Sequence, residues 1–203
     1  MGSDNKMNIL ILGDIVGANG RDALKKNLKD IISSKKIDFT VVNGENSADD
    51  GKGITKEIMD EFFDNGVDVI TSGNHIWDKP SITEHISNEN RLLRPANLAE
   101  GSPGNGYGIY SSKNKKYKIA VINLMGNVFM RKSEDVFKTA ENFQKKYQLK
   151  KDYDFLVVDL HCETTSEKMA MGHLFDSKAT LVTGTHTHIP TNDARVLNGG
   201  TAY

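Results

Sequence analysis

The sequence predicts an α/β fold with a largely parallel central sheet flanked by helices. Two observations carry the prediction. Short apolar runs alternate with longer segments in which apolar residues recur at helical spacing. The runs are also apolar almost throughout, as strands buried on both faces are. Residues 8–12 are the first strand, ending at Gly13-Asp14. Residues 21–34 follow as a helix, with Ala23, Leu24, Leu28, Ile31 and Ile32 on one face and lysines between them. Residues 39–42 are the second strand, closed by Asn43-Gly44-Glu45-Asn46. Thr55 caps a helix whose apolar face is Ile58, Met59, Phe62 and Phe63. Residues 67–70 are the third strand and lead into Ser72-Gly73-Asn74-His75. Residues 119–124, 155–160 and 179–182 are further strands; the second of these ends at His161 and the third runs on to Thr185-His186-Thr187-His188. Between residues 92 and 112, Pro95, Pro103 and the glycines at 101, 104, 106 and 108 break the pattern, which reads as a loop leading to an edge strand. The lysine-rich stretch 113–118 reads as a solvated hairpin tip.

Composition removes several function classes. The chain has 203 residues, enough for one sizeable core, and 26 Lys+Arg stand against 27 Asp+Glu. That balance argues against a strongly basic nucleic-acid binder and against an acidic disordered tail. The single cysteine, Cys162, rules out an internal disulfide and any thiolate-rich zinc or iron–sulfur site. No run approaches the roughly 18 apolar residues of a membrane helix, so the expectation is a soluble, cytoplasmic chain without a membrane partner. No flexible linker divides it. Residues 7–203 read as one domain, and residues 1–6 (MGSDNK) as a tag or disordered extension ahead of Met7.

The chemistry is expected where the strands end. Asp14, Glu45, Asn74, His161 and the pair His186/His188 each follow an apolar run, and in open α/β sheets ligands bind beyond the carboxyl ends of the strands. Each has an ordinary reading. Asp14 is placed to cap the next helix. Glu45 and Asn46 are common loop residues, Asn74 a turn former, and His161 a candidate core histidine. GDIVGANG is not a dinucleotide loop: it lacks the G-x-G-x-x-G order, and a carboxylate so close would repel a pyrophosphate. His186-Thr187-His188 is the most specific feature. In extended chain such a pair points to one side with Cα atoms roughly 6.5–7 Å apart. That spacing suits two neighbouring ions, since paired catalytic metals lie about 3.5–4 Å apart. Carboxylate, amide and imidazole without thiolate favour Mn²⁺, Fe or Zn²⁺ over Mg²⁺ or Ca²⁺. His85 and His173 lie outside these segments and read as surface or supporting residues.

The order Asp … Asn-His … His … His-x-His resembles the calcineurin-like metallophosphoesterases, and within them the bacterial YmdB-like phosphodiesterase family. The matching stretches are ILGDIVG, VVNGENSADDGKGIT, TSGNHIWD, RPAN, DLHCETTSEKMAMG, GTHTHIPT and GGTAY, in order from Met7 to Tyr203. Asp14 is followed by Ile15-Val16 where the wider superfamily has Asp-x-His, and Glu45 stands where most members have a bridging Asp. Both departures are features of the YmdB-like family. The family usually continues past the point where this chain stops, so the expectation is a chain truncated at its C-terminus.

The resemblance implies a sandwich of mixed sheets and a two-metal site. Asp14, Asn46 and His188 would hold one transition ion, Asn74, His161 and His186 the other, and Glu45 would bridge them. Fe or Mn are the implied ions, with Zn an alternative. His75 would be the general acid to a hydroxide held between the ions, with Asp78 a candidate to steady it. The implied substrate is a small phosphodiester such as a 2′,3′-cyclic nucleotide, with no stable nucleic-acid partner; a homo-oligomer is compatible with the sequence. Tyr107, Trp77 and Phe129 are the aromatic candidates for stacking on a base, and each reads equally as a packing residue. Two rival readings are a phosphomonoesterase or nucleotidase on the same site, and a nucleotide-binding regulator with little turnover.

Overall fold

The computed structural model describes residues 6–203, so the reading of residues 1–6 as a tag lies, Lys6 apart, outside the described residues. The strand and helix alternation is as expected, but the strands divide into two sheets. In the first, β1 (Ile9–Leu12), β2 (Phe39–Asn43) and β3 (Val69–Thr71) pair in parallel in that order. In the second, β4 (Tyr107–Ser111), β5 (Lys118–Met125), β6 (Phe155–His161) and β7 (Leu181–Thr185) lie in sequence order. There β4 and β5 form an antiparallel hairpin around the lysine-rich turn, and β5, β6 and β7 are parallel.

Helices cover the outer face of each sheet. Between β1 and β3 come α1 (Gly17–Lys35) and α2 (Lys56–Asp64), and α3 (Pro80–His85) follows β3. The second sheet carries α4 (Val136–Lys146) and α5 (Thr165–Leu174). Local signals set their ends. Thr55 Oγ1 accepts the Ile58 N–H at the start of α2, as its sequence position predicts. Asp135 Oδ1 accepts from Phe137 and Lys138 at the start of α4, and Thr164 Oγ1 from Glu167 at the start of α5.

Three apolar clusters show the layering. One joins α1, α2 and α3 to the first sheet through Leu24, Leu28, Met59, Phe62, Ile82, Val42 and Ile70. A second joins α4 and α5 to the other sheet through Ala140, Phe143, Met171, Ile122, Leu156 and Val158. The third lies between the sheets: Phe39, Val41 and Val69 meet Ile119, Val121 and Val157. Each of these buried side chains contributes about 1.5–3 kcal/mol of hydrophobic stabilisation. A strand apolar on both faces reads alike whether helices or a second sheet cover its far side. The apolar runs therefore revealed the strands but not their division into two sheets.

Successive inward positions of a strand are two residues apart. Along β2 they run Phe39, Val41, Asn43; along β5, Ile119, Val121, Asn123; along β6, Phe155, Val157, Asp159, His161. Each series is apolar for most of its length and polar at its carboxyl end. The gap between the sheets thus turns from a dry core into a polar floor at one rim, where the strand-end residues gather.

Candidate metal centre

Asn43, Thr71, Asp159 and Thr185 interlock across the two sheets. Asp159 is fully buried and accepts from Thr71 Oγ1 at 2.5 Å, Thr185 Oγ1 at 2.8 Å and Asn43 Nδ2 at 3.1 Å. Burial pushes its carboxyl pKa up, against the pull of these donors. Because the Thr185 hydroxyl proton is committed to Asp159, its oxygen is free to accept from His161 Nδ1, 2.9 Å away. That assigns the His161 proton to Nδ1 and aims the Nε2 lone pair away from the floor.

What Nε2 faces is informative. Glu45 Oε1 lies 2.9 Å from it, Asn74 Oδ1 3.1 Å and His186 Nδ1 3.1 Å. His186 Nε2 is engaged by Glu163 Oε2 at 3.1 Å, so its Nδ1 also presents a lone pair. One proton on Nε2 answers one of these acceptors, whereas a cation answers all of them. The ligand atoms of Glu45, His161 and His186 lie within 4.8 Å of one another, a span that one ion can bridge.

A second set adjoins the first. Asn46 Oδ1 is 3.2 Å from His188 Nε2, and the Asn46 amide is held in that orientation by its Nδ2 bond to Gly51 O. Asp14 Oδ1 stands 3.7 Å from His188 Nε2 and 3.8 Å from His161 Nδ1. This oxygen is buried and has no hydrogen-bond partner, while Oδ2 accepts the His186 N–H at 3.0 Å. An orphaned buried carboxylate oxygen is costly without a cation. The helix-cap reading of Asp14 fails: α1 is capped at Val16 with no side-chain bond. All seven residues singled out from the sequence as metal ligands are thus brought together, and the donor set fits first-row transition ions.

The backbone follows the same demand. At Gly73 a Cβ would lie 2.2 Å from His161 Cδ2 and 2.4 Å from Glu45 Oε2. His186 and His188 both have positive φ, +103° and +56°, so the pair is not the extended segment assumed from its spacing. The chain turns at each histidine, and the two imidazoles serve different sets. Strain of this kind gathers at functional sites.

Charge coupling is strong within the cluster. Burial raises the pKa of Glu45, but the His161 hydrogen bond and charge outweigh it and the net shift is downward. Burial lowers that of His161, but Glu45 and Asp14 reverse it and the net shift is upward. His186 is shifted down, first by burial and then by the His161 charge.

His75 sits at the edge. Its N–H donates to Glu45 Oε2 at 3.0 Å, and its Nδ1 meets Asp78 Oδ2 at 2.6 Å, a contact for which the sequence offered Asp78 only as a candidate. Arg131 Nη1 lies 3.2 Å from the other Asp78 oxygen. Arg131 and Glu163 were not foreseen, nor were Asn43, Thr71, Asp159 and Thr185 of the floor. Asp159 had a signal: it interrupts an apolar run two residues before His161, on the same strand face. His85 ends α3, His173 lies in the last turn of α5, and neither takes part in either set.

A model of the YmdB-like protein family matches residues 10–203. The chain belongs to the YmdB-like family. It is 43% identical to a 2′,3′-cyclic-nucleotide 2′-phosphodiesterase of Bacillus subtilis over 197 residues, 97% of this chain and 73% of that protein. It is 36% identical to a putative phosphatase/phosphodiesterase of Mycoplasma pneumoniae, over 98% of this chain and 70% of that one. A crystal structure of a hypothetical protein from Thermus thermophilus superposes with a TM-score of 0.88 at 34% identity, covering 97% of this chain and 74% of that one. A 5′-nucleotidase from Candida albicans shares the fold at a TM-score of 0.58 and 15% identity, covering 92% of this chain and 44% of that one. The YmdB-like chain is therefore an α/β sandwich that shares its fold with these solved structures. Among its described residues no helix is long and apolar enough to cross a membrane.

Proposed function

We propose that this chain is a two-metal phosphodiesterase acting on small phosphodiesters such as 2′,3′-cyclic nucleotides. The observation that carries the reading is the convergence of Glu45 Oε1, Asn74 Oδ1 and His186 Nδ1 on the His161 Nε2 lone pair. The Bacillus subtilis relative's name supports the phosphodiesterase reading and its substrate class. Asp14, Asn46 and His188 would hold one cation and Asn74, His161 and His186 the second, with Glu45 available to both. Such a pair would supply charge neutralisation of non-bridging phosphate oxygens and a lowered pKa for coordinated water.

The chain's own residues do the rest. Asp159 and Thr185 keep the His161 Nδ1 proton in place, and Glu163 does the same for His186 Nε2. Asp78 orients His75, whose Nε2 has no hydrogen-bond partner among the described residues. As a water-derived oxygen bonds to phosphorus and the P–O bond to the leaving oxygen breaks, His75 hands its Nε2 proton to that leaving oxygen, help typically worth about 10²–10⁴-fold.

The test compares Mn²⁺-loaded wild type and His75→Ala on a diester with an acidic phenol leaving group and on one with an alkoxide. The expected result is a large loss on the alkoxide and a small one on the phenol. Equal losses on both contradict the general-acid role. The Mycoplasma pneumoniae relative's name also includes phosphatase, so rates on the matching monoester decide between the two ester classes.

A further inference from the structure

Of the three aromatic side chains that the sequence offered for base stacking, two are taken up by packing. Tyr107 makes edge contacts with Phe143 and Tyr147 at 5.3 and 5.6 Å, and Trp77 packs on the cluster beneath α1–α3. Phe129 is different: it is 86% exposed. It also has a φ of +60°, a conformation that bulky side chains rarely adopt.

The loop bearing it is tied to the site at both ends. Gly126 N–H donates to the backbone oxygen of His161 at 3.0 Å, and Arg131 reaches Asp78, the partner of His75. Two buried polar side chains hold the loop between those ends. Asn97 accepts from Met125 N and donates to Met125 O, Ser133 Oγ and Glu134 O. Glu167 occupies the third position of α5 after its cap, where a capping-box glutamate turns back to its own helix. Here Oε2 accepts from the Thr164 hydroxyl at 2.8 Å, while Oε1 reaches across to accept the Asn127 and Val128 N–H groups at 2.7 and 3.3 Å. At Gly126 a Cβ would lie 2.4 Å from Cys162 Cβ, so the loop passes where only glycine fits. The exposure of Phe129 is thus imposed by a well-anchored loop. Its Cα is at most about 11 Å from the loop's contact with His161.

We infer that Phe129 is the nucleobase platform of this site, a specificity-determining residue on which the base of a cyclic nucleotide stacks while its phosphate lies at the metal cluster. The inference rests on the phosphodiesterase reading above and adds what that reading leaves open: which part of the site would recognise the nucleoside of a nucleoside diester. A stack tolerates any base and favours the larger purine surface.

The experiment uses Mn²⁺-loaded protein and two substrates, adenosine 2′,3′-cyclic phosphate and a base-free five-membered cyclic phosphate. The readout is the ratio of their kcat/KM values. Phe129→Ala is expected to lower that ratio roughly 5- to 150-fold, the range of a lost base–aromatic stack, through KM for the nucleotide. Phe129→Leu keeps apolar bulk without a π face and should lower it too, whereas Phe129→Trp should restore it. An unchanged ratio in Ala and Leu variants overturns the inference, whether both rates hold or both fall together. A change in oligomeric state with the ratio intact overturns it as well and assigns Phe129 to a protein contact. If wild type turns over neither substrate, it is the phosphodiesterase reading that fails.

Discussion

Asp159→Asn probes the site without touching a proposed ligand. Asn43 Nδ2 and Thr71 Oγ1 both donate to Asp159 Oδ2, 3.1 and 2.5 Å away, and the Asn43 amide cannot reverse its role because it also donates to Ser72 O. The new amide must therefore turn its NH₂ toward Thr185. Thr185 Oγ1, now receiving a proton from residue 159, must send its own hydroxyl proton elsewhere, and His161 Nδ1 is 2.9 Å away. That contact requires Nδ1 to accept, which moves the imidazole proton to Nε2, the atom facing Glu45, Asn74 and His186. The variant thus points a proton where a cation should sit.

The change is nearly isosteric and removes a buried charge, so folding stability should stay within about 1.5 kcal/mol of wild type. Cation affinity should fall about 10- to 100-fold, or about 1.4–2.8 kcal/mol, the usual cost of disturbing a group that orients a metal-bound histidine. A chelator-competition titration with Mn²⁺ reads the affinity, and thermal unfolding of the cation-free protein reads the fold. Thr185→Val should show the same loss, with Thr185→Ser close to wild type. An Asp159→Asn affinity within twofold of wild type, in a folded protein, would refute the tautomer argument.

Four further outcomes follow from the same structure. Gly73→Ala forces a methyl group against His161 and Glu45; it should lose at least about 1–3 kcal/mol of stability together with cation binding, measured by unfolding and by metal content. In the cation-free protein the Glu45–His161 pair should stabilise the fold most between about pH 4.5 and 6.5. Glu45's contribution is present above its ordinary value and is lost as pH falls through its lowered folded value. His161's is present below its ordinary value and is lost as pH rises through its raised one. Cation binding must expel the His161 Nε2 proton, so calorimetry in buffers of different ionisation enthalpy should record proton release near and above pH 6.5, and none would contradict the pairing. Burial pushes the Cys162 thiol up to about 12, so alkylation should be slow in the native protein and fast once it unfolds; rapid native labelling would contradict its burial.

The sequence was most legible where one residue type carries both fold and chemistry. Apolar runs that stop at Asp14, Glu45, Asn74 and His161 mark the strands and the rim together, because the carboxyl ends of parallel strands converge. Three things were hidden. The helices α3 and α5 are short with few buried apolar residues and did not stand out, whereas α4 carries an apolar face of Val136, Ala140 and Phe143 that its spacing could have revealed. The left-handed turn at His186 and His188 is set by tertiary contacts, which spacing alone does not reveal. The floor was missed because Asn43, Thr71, Asp159 and Thr185 lie on different strands, β2, β3, β6 and β7, and become one network only after the two sheets face each other. Arg131 and Glu163 are exposed charges until the fold sets them beside Asp78 and His186.

The most direct test is the number of Mn²⁺ ions bound per chain at equilibrium in wild type and in two single-ligand variants. Wild type should bind two, and His188→Ala and His161→Ala should each keep one, with the two remaining sites differing in affinity. A single ion in wild type, or stoichiometry indifferent to both histidines, would contradict the twin-site account.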